Sequence, residues 1–377
     1  NEPAKLVPTL VNGTLQSGHP NSTYELLSEL RMLAYAQGIG SGESTVTREE
    51  ANSYLEEVIV HNLEFIFKEV TEETRINMTE DELKKVFNLF TFLLSRCSLE
   101  GIKEKLTEEI SLICAQRPVV TRRAREIIQM VKDKVMLDLS YSSDRLLQNY
   151  IDVLYAPTQG SKKNPDLSNY QSFLSNASAE ILKQEAEEMG ISMRKNGMVS
   201  VYHAYLMMHL LKQHHDELIP KALRLNKTGE AEWFNRKKLV KRILNEILHP
   251  YNNQFLYGMA KMLEKGLFSR NAVVAGLENI STIRIHPNAE KKILKSIVIP
   301  QSDLNALQYL TSALIRILGQ PLGVGQGNNP TCQSARGISM WSQHAPAKLI
   351  NMVITVATQD NLILRFEEKE LEANKLG

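Results

Sequence analysis

Residues able to do chemistry concentrate in one stretch, GQGNNPTCQSARG at positions 325–337. Glycines and asparagines lead into a single cysteine, Cys332, and helix-forming residues follow it. Thr331 is suited to cap a helix that carries Cys332 in its first turn and runs to about Gln343, with Ala335, Ile338 and Trp341 facing the core. A thiol at that place differs chemically from one in a core. The helix dipole and the free N–H groups of the first turn favour an anion, which lowers the thiol pKa, and the thiolate is the nucleophile. The same N–H groups can hold an oxyanion, and glycines let backbone approach a substrate without Cβ clashes. The chemistry expected is attack on an amide or ester carbonyl. The plainer alternative is a small buried thiol after an ordinary turn. Cys97 and Cys114, which sit on apolar stripes, read that way.

Gln326 stands six residues before Cys332 and beside Gly327. With the helix that follows, this stretch resembles the nucleophile region of papain-like thiol hydrolases. The resemblance implies Cys332 as nucleophile and the Gln326 side-chain amide as oxyanion donor. It covers about ten residues of the 377. Gln333 stands where that family carries an aromatic residue, and the second cysteine of the family's local motif is missing. The family's histidine lies far downstream on a sheet, whereas His344 is the only histidine after Cys332. At twelve residues along one helix it is about 18 Å away, beyond hydrogen-bond reach. The base must then come from upstream, with His286, ending TIRIH, as first choice and His249, before Pro250, as second. The other solution is a catalytic domain that continues past residue 377, with NLILRF as its first strand.

Other constellations are less specific. Four histidines fall within HAYLMMHLLKQHHDE, 203–217. Their spacings of six and five residues put no close pair on one helix face, so no metal site is expected. The histidines read as rim or partly exposed positions of a helix whose Met and Leu residues are core. EWFNRKKLVKR, 232–242, interleaves Trp233 and Phe234 with basic residues. Leu239, Ile243 and Ile247 form the apolar face of the same helix, so the charges also serve as its solvated face. Neither a P-loop, nor a dinucleotide fingerprint, nor a G-x-S-x-G elbow occurs, and no cofactor is called for.

The elements that position these residues are mainly helical. Ser22-x-x-Glu25, Thr47-x-x-Glu50 and Thr79-x-x-Glu82 are capping boxes. Leu83 to Cys97, Ile102 to Cys114 and Ala124 to Val135 carry apolar residues at helical spacing. Short connections between them favour antiparallel neighbours. The expected fold is therefore mainly α, a multi-helix bundle or an α-solenoid of helical hairpins, with a small β element in the C-terminal third. Three short β-branched runs, STIRIHP, SIVIP and NLILRF, supply that element. Ser302 or Asp303 caps the helix carrying Leu307 to Leu318, and Gly319 and Pro321 stop it.

The division expected is an N-terminal tail over 1–20, a helical domain over 21–157 and a linker over 158–170, where turn formers crowd. A second helical domain spans 171–320, and the glycine-rich loop and C-terminal helices carrying Cys332 span 321–377. Apolar residues make up 43% and charged residues 23%, with a net charge of +1, so no global field points to nucleic acid or membrane. No apolar run is long enough for a transmembrane helix. Three cysteines suit a reducing, cytoplasm-like compartment. The expected partner is a protein or peptide, as the substrate of a protease, deamidase or transglutaminase-like enzyme, or as the ligand of a non-enzymatic helical scaffold.

Overall fold

A computed structural model describes residues 22–39, 46–66, 88, 92, 100–116, 122–296, 303–324, 332–367 and 369–375. Among these are seventeen α-helices and one two-stranded antiparallel sheet. The fold is mainly α with a small C-terminal β element, as the helical punctuation and the NLILRF run imply. By contacts the chain divides into two units.

The first unit comprises Asn1–Ile113, Thr121–Ile151 and Gln326–Cys332. Its helices are α1 (Ser22–Ala36), α2 (Arg48–Ile66), α3 (Glu100–Gln116), α4 (Arg122–Lys134) and most of α5 (Ser142–Tyr155). The Thr47 capping box forms in full: Thr47 N donates to Glu50 Oε2 at 2.8 Å, and Glu50 N donates to Thr47 Oγ1 at 3.1 Å. Two of the helix's orphan donors are thereby satisfied. Ile102, Leu106 and Ile110 of α3 and Ala124, Ile127 and Val131 of α4 are buried, on the stripes their spacing marks. Cys114, at the end of its stripe, is only half-buried. Lys103 crosses to Asp144 at 2.6 Å, and both side chains are nearly inaccessible. The Thr79 box, the Leu83–Cys97 stripe apart from Asn88 and Phe92, and Cys97 itself lie outside the described residues.

The second unit comprises Cys114–Val120, Asp152–Gly325 and Gln333–Gly377. It begins with α6 (Gln159–Lys163), α7 (Leu167–Asn176), α8 (Ala179–Asn196), α9 (Val201–Lys212) and α10 (Ile219–Ala222). Next come α11 (Lys227–Ile247), α12 (Phe255–Glu264), α13 (Asn271–Ile280) and α14 (Pro287–Ser296). It ends with α15 (Ala306–Gly319), α16 (Cys332–His344), α17 (Pro346–Gln359) and the hairpin β1 (Ile363–Phe366) and β2 (Lys369–Glu372). One continuous apolar core runs from Tyr170 to Ile350.

Residues 158–170, whose turn formers read as a linker, are instead bound into this unit. The reason is a buried carboxylate. Glu185 of α8 accepts from Thr158 Oγ1 at 2.6 Å, Gly160 N at 2.7 Å and Tyr170 Oη at 3.0 Å. Burial raises the Glu185 carboxyl above its usual range, and these hydrogen bonds offset only part of that rise. Gly160 is required there, because a Cβ would stand 2.4 Å from Glu185 Oε1.

Two further expectations are corrected. STIRIHP forms no strand: residues 281–286 are turn and extended connector, and Pro287 starts α14. The alternation is real, since Ile283 and Ile285 are half-buried while Thr282 and Arg284 are exposed. No neighbouring strand is there to pair with it among the described residues. In SIVIP, residues 297–300 lie outside the described residues, so only NLILRF yields a strand. The cap of α15 is Asn305 rather than Ser302 or Asp303, in a reciprocal box with Gln308. His203 is not a rim residue but wholly buried in α9.

The tightest helix crossing joins α12 and α15 through glycine. A Cβ at Gly319 would stand 2.3 Å from Gly258 O, and one at Gly258 would stand 2.7 Å from Arg316 Cα. Backbone atoms cannot yield as a flexible side chain can, so Gly319→Ala is expected to cost about 1–3 kcal/mol in a urea melt. A second outcome concerns pH. Burial holds the His203 imidazole down at about 3, whereas in the unfolded chain it protonates near its ordinary 6.5. The stability this neutral ring secures is complete above 6.5 and is lost as pH falls towards 3, at about 1.4 kcal/mol per unit. The drop in melting temperature between pH 7 and pH 5 should shrink in His203→Leu.

Candidate functional site

Within the second unit α14, α16, α17 and the hairpin surround a groove of about 910 Å³. From α14 come Ala289, Lys292 and Ile293, and from α16 come Gln333, Ser334, Gly337, Ile338 and Trp341. The α16 set recurs at one-turn spacing, so a single face of that helix forms a wall. Met352, Val353 and Val356 of α17 also line it, with Leu362, just before β1, and Leu364 of β1. The lining is therefore mostly apolar.

Two hydroxyls seat α16. Ser342 Oγ donates to Ile317 O at 2.8 Å and Ser339 Oγ donates to Pro321 O at 2.6 Å. Ile317 lies in the last turn of α15 and Pro321 opens the short 3-10 turn that follows it, where a terminating helix leaves acceptors without intrahelical partners. Trp341 packs against the core while also lining the groove, and the Lys348 ammonium sits 5.7 Å from its ring centroid. Pro346 occupies the first turn of α17 as its sequence position implies.

The groove has one polar end. Asp360 closes α17 in a left-handed conformation, φ 50°, which Asp tolerates better than most residues. Its carboxylate accepts from Lys292 Nζ at 2.9 Å. That bond, with help from Asn288 and the nearby His286 charge, holds the Asp360 carboxyl below its usual range. His286 is thus a neighbour of the groove's polar end. Its backbone N donates to Ala357 O at 2.8 Å, and its Nδ1 accepts from Asn288 N at 3.3 Å.

Cys332 is the first residue of α16, as expected from the Thr331 cap position. Its side chain, and Gln326 with the rest of 325–331, lie outside the described residues. His344 is exposed at the far end of the same helix. The two upstream histidines now separate. His249 has both ring nitrogens engaged: Tyr251 N donates to Nδ1 at 3.3 Å, and Nε2 lies 2.8 Å from Asp303 Oδ1. With Nδ1 accepting, Nε2 donates to Asp303. His286 is engaged only by the long Asn288 contact among the described residues.

Lys237 and Lys241 both reach Asp216, at 2.7 Å and 2.6 Å, and Trp233 is fully buried while Phe234 is exposed. Among the described residues no three His, Cys, Asp or Glu side chains come together to hold a metal ion, and no helix is long and apolar enough to cross a membrane. What sequence reasoning missed is the groove itself. Lys292, Asp360 and the hairpin leucines meet there from segments up to some 70 residues apart along the chain. The one signal available beforehand was Gly337, a glycine inside a helix.

No family model matches this sequence, and neither a curated protein nor a solved structure matches it either. Because Ser342 is almost fully buried and donates to Ile317 O, Ser342→Ala is expected to destabilise the second unit by about 1 kcal/mol. Chemical denaturation followed by Trp341 fluorescence measures it.

Proposed function

We propose that this chain is a cysteine-dependent acyl-transfer enzyme acting on an amide or ester of a protein or peptide, with Cys332 as nucleophile. The α14–α16–α17 groove would hold the apolar part of the substrate. One juxtaposition supports this: Cys332 opens α16, and the next two residues, Gln333 and Ser334, line the groove. A helix start favours the thiolate, and a nucleophile needs a concave surface beside it to hold the carbonyl within reach.

In the first step the thiolate sulfur bonds to the carbonyl carbon and the C=O electron pair moves onto oxygen, where first-turn N–H groups stabilise it. Collapse expels the amine or alcohol, which takes its proton from the base, and leaves a thioester for water or an amine to attack. His286 is assigned the proton transfer. Release of its long Asn288 contact leaves Nδ1 as acceptor, close to the polar end of the groove. Gln326 is assigned as oxyanion donor on its resemblance alone.

A second reading is a helical scaffold that binds a protein partner in the groove without chemistry. It is favoured by the lining, whose titratable side chains, Lys292 and Asp360, pair with one another. Iodoacetamide at pH 6 separates the two. Under the enzyme reading Cys332 is alkylated well ahead of Cys97 and Cys114, as mapped by peptide mass spectrometry, and His286→Ala slows that reaction. Equal, slow labelling of all three thiols supports the scaffold.

A further inference from the structure

Glycine is the least favourable helix residue after proline, so a glycine inside a helix calls for a reason. In this chain the reason is usually a neighbour. A Cβ at Gly190 would stand 2.4 Å from Lys221 O, and one at Gly276 would stand 2.8 Å from Ile350 Cγ2. Gly337, in the middle of α16, has no such neighbour among the described residues. The nearest atom to an added Cβ is Trp341 Cζ3 at 3.8 Å, an ordinary van der Waals contact. Its φ is not positive, so the backbone does not need glycine either. The helix would be better formed with alanine there, and no contact among the described residues forbids it.

The space that a side chain would fill belongs to the groove, which Gly337 lines between Ser334 and Trp341. We infer that Gly337 is a specificity-determining residue: its missing side chain admits a large apolar side chain of the substrate, aromatic or branched, which lies across α16 against the Trp341 indole. This rests on the groove being the substrate site of the acyl transfer proposed above. The surroundings suit that occupant. Ile338, Met352, Val353 and Val356 offer apolar contact, an indole favours offset or edge-on aromatic partners, and the one charged pair of the lining, Lys292 with Asp360, is internally neutralised.

The test uses the full chain with Gly337→Ala and Gly337→Leu. Three readouts are taken: thermal melting, binding of 1-anilinonaphthalene-8-sulfonate by the rise in the dye's own fluorescence, and kcat/KM for the 4-nitrophenyl esters of N-acetylphenylalanine and N-acetylglycine. Gly337→Ala should raise the melting midpoint by about 2–4 °C. Gly337→Leu should stay folded, bind the dye roughly tenfold or more weakly, and lose a similar factor of its preference for the phenylalanine ester. A lower midpoint for Gly337→Ala would show that the glycine serves the fold and overturn the inference. Unchanged dye affinity in a folded Gly337→Leu overturns it equally. If the unmodified chain hydrolyses neither ester, the acyl-transfer reading fails, and dye binding alone decides the role of Gly337.

Discussion

The second unit hangs on the backbone contact between Gly258 and Gly319. With no Cβ on either residue, α12 and α15 approach until carbonyl and Cα atoms touch, a distance no other residue pair permits. α15 ends at that contact, with Gly319 its last residue. Its last carbonyls, together with Pro321 O, receive the Ser342 and Ser339 hydroxyls and Lys265 Nζ. The hydroxyl bonds set the path of α16, and so of the groove wall that follows Cys332. A methyl group at the crossing would move the wall as well as weaken the core.

Buried polar groups give the unit its uniqueness. Glu185 is a carboxylate in a core, which is costly unless its lone pairs are met. Three donors from the preceding 27 residues meet them, and this converts a turn-rich stretch into a closed corner. Arg194 does similar work by pairing with both oxygens of Glu264, joining α8 to α12. His203 is held without charge by burial. The groove is the reverse case, apolar surface that no described residue covers, beside a well-filled core. Apolar surface of that kind is normally covered when a protein works.

Local features were legible in the sequence. The Thr47–Glu50 box, the helix from Cys332, the helix from Pro346 and the strand in NLILRF all follow from interactions within a few residues. STIRIHP was misjudged because a strand exists only if another strand lies beside it, and alternation says nothing of that. The 158–170 stretch was misjudged because turn formers look alike in a loose linker and in a corner pinned by a carboxylate. The site was half legible: a thiol at a helix start, Cys332, could be marked from residue types, while the choice between His249 and His286 could not.

By itself, then, the sequence determined the helices, most of their ends and the apolar face of each, because those depend on hydrogen bonds and side-chain periods a few residues long. Only the tertiary structure decided which faces meet. It put His286 near Asp360, gave His249 to Asp303 and assembled a groove from α14, α16, α17 and the hairpin. Such choices depend on close approach between distant segments, as at Gly258 and Gly319. No short window of residues carries the volume of its eventual neighbour.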